Sequence, residues 1–448
     1  MDKYVVDDLL SSTSCDASCD RSSWLDINGL FFDISKNRQK NFTEAYNWQN
    51  NKTLVVRRGF SFTLQLTANR LFNSTNHAII FVFDSGAGRS VADSVQQIQL
   101  QSNCNNFDDN TSADWTAELI ETDHNVITVE INIPVKCIIG CWTLRIFSGF
   151  FEEPDQLTDI HECTDPAFYG NACERKFYLS QTTEMCFTGT KVGSNGYNFT
   201  KTPWIHDQFD ENTLKTAIFL LSKVARPDNA TLTDDRQNIV RVIRKLAYAV
   251  KHLFFALGNE PDQSGYISTK QLILKFLNSQ QSLPSNESLV QANLYVSLVR
   301  SLGICARIVT CIEACYDADP NLTVDRAFVR NSSDFVFEPM KNSAGQLWDC
   351  TRTQQFWVEC YCSRTDLGVG YDGWQLLDPT APDSPLTERQ AGPAALKSLQ
   401  NSKLDLPYDA RFFCGIYRSN KVLWFYEYDH EIDEYRLLHV RCCKKNGM

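Results

Sequence analysis

Residues 356–382 read FWVECYCSRTDLGVGYDGWQLLDPTAP. The stretch opens on FWVECYC and closes on GWQLLDPT, two apolar runs of strand length. Between them SRTDLGVGYD carries the Gly and Asp residues of a turn. Asp378 closes the second run. Of the seven histidines in the chain, none lies between His252 and His430. A carboxylate thus ends a core strand with no imidazole near it in sequence.

Working outward, ARIVTCIEA (306–314) reads as another strand of the same region. ESLVQANLYVSLVRSLG (287–303) precedes it, with apolar residues at helical spacing, Pro284 and Ser285 before it and Gly303 at its end. LKTAIFLLSKVA and RQNIVRVIRKLAYAVKHLFFAL also carry a helical period, and TLTDD can cap the second. DARFFCGIYR and KVLWFYEYD read as a late strand pair. Helices followed by strands imply an α+β domain over residues 176–448.

Towards the N-terminus the period changes. LVVRRGFSFTLQL, HAIIFVFDSG, SVQQIQLQ, WTAELIETD, NVITVEINIPV and GCWTLRIFSG alternate apolar and polar residues at short spacing. This pattern implies an immunoglobulin-like β-sandwich over residues 51–150. Residues 1–50, polar and rich in Ser and Asp, read as a loosely held N-terminal arm. Residues 151–175 read as a linker.

Bulk properties narrow the function. With 448 residues the chain is long enough for two or three cores. A net charge of −11 excludes nucleic-acid binding through a general basic surface. No apolar run is long enough for a transmembrane segment, and MDKYVVDDLLSS carries aspartates where a signal peptide needs an apolar core. Seventeen cysteines, an odd number spread over a long chain, fit reduced thiols in a cytoplasmic protein better than a disulfide framework.

A series of segments in order resembles the transglutaminase family. FDISKNRQKNFTEAY (32–46), LVVRRGFSF (54–62), FYLSQTTEMCFTGT (177–190), TPWIHDQFD (202–210), SGYISTKQLI (264–273), LVRSLGICARIVT (298–310), DADPNLTVD (317–325), TDLGVGYDGWQLLDPTAP (365–382) and YDARFF (408–413) carry the resemblance. It implies an N-terminal β-sandwich followed by a papain-like transglutaminase core. Ending at Met448, the chain resembles a member in which the C-terminal β-barrels are absent.

The family chemistry uses a thiolate at a helix N-terminus, oriented against an imidazole and an aspartate. Matched without gaps from Leu302-Gly303-Ile304, the nucleophile position falls on Ser288. A second match takes Gln291-Ala292 as the equivalent pair. Neither supplies a cysteine, and Ser288 also reads simply as the start of a helix. Gln355 occupies the histidine position, or Thr351 if the gap is placed later. Asp378 is retained, with a hydrogen bond to Gln355 or to backbone as its expected partner. Tyr266 stands at the oxyanion-donor position, where a phenol can still donate.

Calcium is the cofactor the resemblance implies. Asp317, Asp319, Asn321 and Thr323 offer alternating oxygens, and read either as a calcium loop or as a solvated acidic turn. A second family site matches Arg418 and Asn420, and the arginine opposes a cation there. The resemblance therefore implies a catalytically inactive scaffold or regulator working through protein partners, with a homodimer as the family-like state. The alternative is an active protein-glutamine gamma-glutamyltransferase with a divergent nucleophile, such as Cys350 or Cys360.

Overall fold

In a computed structural model of the chain, the structure describes residues 25–48, 53–85, 94–101, 114–150, 153–155, 161–164, 177–192, 196–224, 235–256, 267–285, 287–317, 321–330, 336–340, 349–380, 391–429 and 432–443. The fold is mixed α+β with a sheet-rich N-terminal part, as the sequence implies.

The first unit is a β-sandwich. One layer holds β1 (Ile27–Phe31), β3 (Ser61–Ala68), β7 (Val126–Asn132) and β6 (Thr116–Asp123). The other holds β5 (Val95–Gln101), β4 (His77–Asp84), β8 (Cys141–Phe150), β10 (His161–Thr164) and β2 (Leu54–Val55), with β9 (Glu153–Asp155) paired to β8. The layers join where β5 pairs with β6 over Leu100–Gln101. Alternate residues of each strand point inward, which is why the period-2 pattern was readable. Phe62, Leu64, Leu66, Phe81, Phe83, Ile127, Val129, Trp142 and Leu144 form its buried centre.

Two boundary expectations need correction. Residues 25–48 are built into the fold rather than hanging off it. β1 pairs with β3, and helix α1 (Ile34–Asn41) lies against the sandwich with Asn37, Arg38 and Asn41 buried. Asn37 donates to the Thr63 carbonyl and accepts from the Thr63 amide, at 2.7 and 2.8 Å. Asn41 accepts from the Arg57 amide at 2.9 Å. These residues are polar yet buried because backbone groups satisfy them, so no apolar period marks the segment. Likewise the expected linker supplies β9 and β10 to the edge of the sandwich.

The second unit carries the α+β core. A hairpin, β11 (Thr183–Val192) and β12 (Gly196–Ile205), leads to helices α2 (Glu211–Lys223) and α3 (Ile239–Ala249). The cap of α3 is Asn238, whose side chain accepts from Val240 and Arg241 amides, rather than the TLTDD run. Short strands β13 (Phe255–Ala256) and β14 (Leu283–Pro284) flank α4 (Thr269–Ser279). Helix α5 (Ser288–Ser301) is buried along nearly its whole length. It packs on an antiparallel sheet ordered β15 (Ala306–Tyr316), β18 (Cys350–Cys362), β19 (Gly373–Asp378), β20 (Ala391–Ala395). A second sheet is ordered β17 (Phe337–Pro339), β16 (Thr323–Arg330), β21 (Asn420–Asp429), β22 (Glu434–Cys443). Helix α6 (Leu396–Gln400) follows β20.

The late strand pair is half right. KVLWFYEYD is β21, but its partner is β22. DARFFCGIYR is instead helix α7 (Ala410–Arg418). Ala410, Phe413 and Cys414 bury one face at i, i+3, i+4 spacing, and Ile416 joins them. A nine-residue apolar run satisfies either period, and packing on β15 decides for the helix.

The segment before β2 also ties the two units together. Tyr46 donates its hydroxyl to the Ser301 carbonyl at 2.9 Å, and Trp48 Nε1 donates to the Phe209 carbonyl at 2.8 Å. Arg58 Nη1 reaches the carbonyls of Cys137 and Gln237, each at 2.9 Å.

Candidate functional site

Helix α5 begins at Ser288, with Glu287 as its cap residue. Serine at a first helical position leaves its own amide among the unpaired donors of the helix end. Glu287 makes no side-chain cap, so Ser288 starts the helix without capping it. The side chain of Ser288 is partly exposed. Ala292 lies one turn deeper and has no exposed surface. Of the two matches, only the Ser288 position presents a side chain to solvent at the helix end.

Gln355 sits on β18 opposite Cys311 of β15. It is buried, and its carboxamide is fully engaged. Nε2 donates to Asp378 Oδ2 at 2.9 Å and to Thr380 Oγ1 at 2.6 Å. Oε1 accepts from Arg352 Nη1 at 2.8 Å. Asp378, at the end of β19, also accepts from the Thr380 amide at 2.8 Å and the Thr380 hydroxyl at 2.6 Å. Burial pushes the Asp378 carboxyl above its usual range, against the donors from Thr380 and Gln355. The bond from a side-chain N–H to Asp378 is thus made, but by an amide that has no basic lone pair to offer. Thr351, the alternative for this position, lies opposite Cys315, four residues back along β18. That displaces it by about 13 Å at the strand rise.

Two of the described imidazoles are engaged elsewhere. His252 follows α3 and stacks on Tyr248 with ring centres 4.3 Å apart. His430 lies outside the described residues. His206 is wholly buried, and its Nδ1 is 2.7 Å from Ser297 Oγ. Ser297 is nine residues along α5 from Ser288, about half a turn out of phase and about 13.5 Å away along the axis.

The His206 cluster is a site that sequence reasoning missed. Trp204 Nε1 donates to Thr269 Oγ1 at 3.1 Å, and Thr269 and Ser297 hydroxyls meet at 2.7 Å. His206 Nε2 is 3.1 Å from Glu184 Oε2, which also receives Arg300 Nη2 at 3.1 Å. Burial, aided by the Arg300 charge, lowers the imidazole to about 4 despite Glu184. The neutral ring donates from Nε2 to the carboxylate, while its Nδ1 lies 2.7 Å from a Ser297 hydroxyl that donates to the Asn293 carbonyl at 2.7 Å. Ser297, His206 and Glu184 have the connectivity of a hydrolytic triad. Ser297 and His206 are enclosed, however, so the cluster braces α5 against β11 and β12.

Cys360, the other nucleophile considered, is fully buried. Its thiol lies 3.8 Å from the Tyr295 hydroxyl. Burial, reinforced by Cys362, holds it well above the usual thiol range. A reactive thiolate needs the opposite environment. The side chain of Cys350 and the residue Tyr266 lie outside the described residues.

The acidic turn closes on itself. Asp317 accepts from the amides of Asn321 (3.3 Å) and Leu322 (2.6 Å). Asn321 Oδ1 accepts from the Thr323 amide at 2.7 Å, and Thr323 Oγ1 lies between Asn321 and Asp325. Asp325 in turn accepts from Trp424 Nε1 at 2.6 Å. Asp319 lies outside the described residues. Calcium requires six to eight oxygens, several of them carboxylate. The described oxygens are turned onto the loop's own donors. Among the described residues, no group of three or more His, Cys, Asp or Glu side chains converges. Arg418 donates to the Leu399 carbonyl at 3.1 Å.

A buried helix packed on an antiparallel sheet, in which one strand ends in a buried aspartate, together with a β-sandwich, gives the fold of a transglutaminase-type protein. A family model described as transglutaminase family matches residues 30–148. Human protein-glutamine gamma-glutamyltransferase K is 23% identical over 431 residues, covering 90% of this chain and 49% of the relative. Human protein-glutamine gamma-glutamyltransferase E is 25% identical over 426 residues, covering 90% and 58%. The hemocyte protein-glutamine gamma-glutamyltransferase of Tachypleus tridentatus is 24% identical over 428 residues, covering 88% and 54%. The crystal structure of red sea bream transglutaminase superposes with a TM-score of 0.73 at 19% identity, over 92% of this chain and 61% of that one. The chain is similar to transglutaminase-family proteins along about 90% of its length. It spans about half the length of the curated relatives it matches. Among the described residues, no helix is long and apolar enough to cross a membrane.

Proposed function

We propose that this chain is a transglutaminase-fold protein that carries out no glutamyl transfer and acts as a scaffold or regulator by binding other proteins in the cytoplasm. One observation carries the reading: the Gln355 carboxamide occupies both Asp378 and Thr380, where an active member needs an imidazole. Ser288 then has a helix dipole behind it, and glutamine stands at the position where the family chemistry places the base. An unassisted hydroxyl does not attack an amide at neutral pH. In a serine protease, loss of either nucleophile or base lowers turnover by roughly 10⁶.

The second reading is an active protein-glutamine gamma-glutamyltransferase with a divergent nucleophile. It is favoured by the relatives, each of which is named for that transfer. Incorporation of a fluorescent primary amine into a glutamine-rich protein, with calcium present, separates the two. The first reading expects no incorporation above buffer. Robust incorporation that disappears in Ser288→Ala refutes it. The same calcium, titrated in a calorimeter, is expected to give no heat from the Asp317 turn. A homodimer is the family-like assembly state, and light scattering reads it directly.

A further inference from the structure

The sandwich holds an open cavity of about 470 Å³, far along the chain from the Ser288 and Gln355 region. Small-molecule sites fall in this size range. It lies where β5 leaves β4 and crosses to β6. None of its ten lining residues carries a fixed charge.

Three carboxamides, Gln97, Gln99 and Gln101, alternate along β5 and are exposed on one face. Alternation spaces neighbours by about 6.8 Å. Each offers two donors and an acceptor. Ser74 and Thr116 add hydroxyls. Thr116 is fixed by Asn132 Nδ2, which donates to its Oγ1 at 2.9 Å. The loop bearing Ser74 is fixed by Asn73, whose side chain accepts from the Thr75 amide at 2.9 Å.

The apolar wall is equally settled. Trp115 stacks on Phe83 with centroids 4.6 Å apart and a 23° tilt. Phe72 lies 6.2 Å from the neighbouring ring of His77, at 41°. His77 Nδ1 accepts the Asn73 amide at 3.1 Å, which leaves the ring proton on Nε2. Burial and Arg70 lower its pKa from the usual value, so the ring is neutral.

We propose that this cavity binds a neutral, hydroxyl-rich ligand of one or two sugar rings. An anion or cation finds no opposite charge among the lining residues. A purely apolar ligand strands the amides and hydroxyls without partners, which costs about 1–3 kcal/mol for each group left unpaired. A sugar ring presents C–H faces to Phe72 and Trp115 and hydroxyls to the glutamine ladder, so it satisfies both walls.

Saturation-transfer NMR on the full chain tests this, with methyl α-D-glucopyranoside, methyl β-D-galactopyranoside, maltose and lactose as probes. At least one probe is expected to give a saturable signal. Gln99→Ala and Gln97→Ala truncate exposed side chains and are expected to keep the native circular dichroism. Each is expected to weaken that probe at least tenfold. Absence of transfer from all four sugars overturns the proposal. So does a signal of equal strength in the wild type and both variants.

Discussion

Gln355 Nε2 donates to Asp378 Oδ2 at 2.9 Å, so the carboxylate that would orient an imidazole is occupied by an amide. The geometry of the partner bond is kept while its chemistry is removed. Gln355→His together with Ser288→Cys therefore supplies the two groups that the family chemistry uses at these positions. The double variant is expected to be alkylated by iodoacetamide at residue 288 at least tenfold faster at pH 7 than Ser288→Cys alone. Equal rates in the two variants show that residues 288 and 355 do not face one another.

The His206 cluster makes stability depend on pH. The folded imidazole titrates near 4, against about 6.5 for an exposed histidine. Its folded value is depressed, so the contribution is present above pH 6.5 and is lost as pH falls towards 4. The difference corresponds to about 3 kcal/mol across that window. Urea unfolding between pH 7.5 and 4.5 reads it. The decline is expected to be shallower in His206→Gln, and identical slopes in variant and wild type contradict the assignment.

Cys360 is enclosed beside Tyr295 and is held as a thiol. An electrophilic probe at pH 8 is expected to leave it unlabelled in the native protein and to label it once urea is added. Labelling in the native state at the rate of a free thiol revives Cys360 as a nucleophile.

Tyr46 holds the N-terminal segment to the end of α5 through one hydroxyl, and it is entirely enclosed. Tyr46→Phe keeps the ring and strands the Ser301 carbonyl. The expected loss is about 1–2 kcal/mol, read from the midpoint of chemical denaturation. A change below about 0.3 kcal/mol shows that the carbonyl finds another donor.

The sandwich was legible because each strand buries every second residue, as in Phe62, Leu64 and Leu66. Asp378 and Gln355 were legible through the motif around them, and their hydrogen bond was expected from the loss of histidine. Residues 25–48 were not, because their buried members are Asn37, Arg38, Asn41 and Thr43, whose partners are backbone groups elsewhere. The helix at 410–418 was misread because an apolar run that short fits two periods, and only the neighbouring strand selects one. The Ser297–His206–Glu184 cluster left no local signal at all. Its members are separated by 91 and 22 positions and meet only after α5 and the β11–β12 hairpin pack together.

The bond from Tyr46 to Ser301 spans 255 positions. On a ribosome adding roughly 5–20 residues each second, the donor waits about 13–51 s before its acceptor has been synthesised. Throughout that interval Tyr46 lacks the carbonyl that will receive its hydroxyl, and Trp48 waits 161 positions for Phe209. Nascent chains of this protein therefore carry a sticky N-terminal hook until synthesis has passed α5.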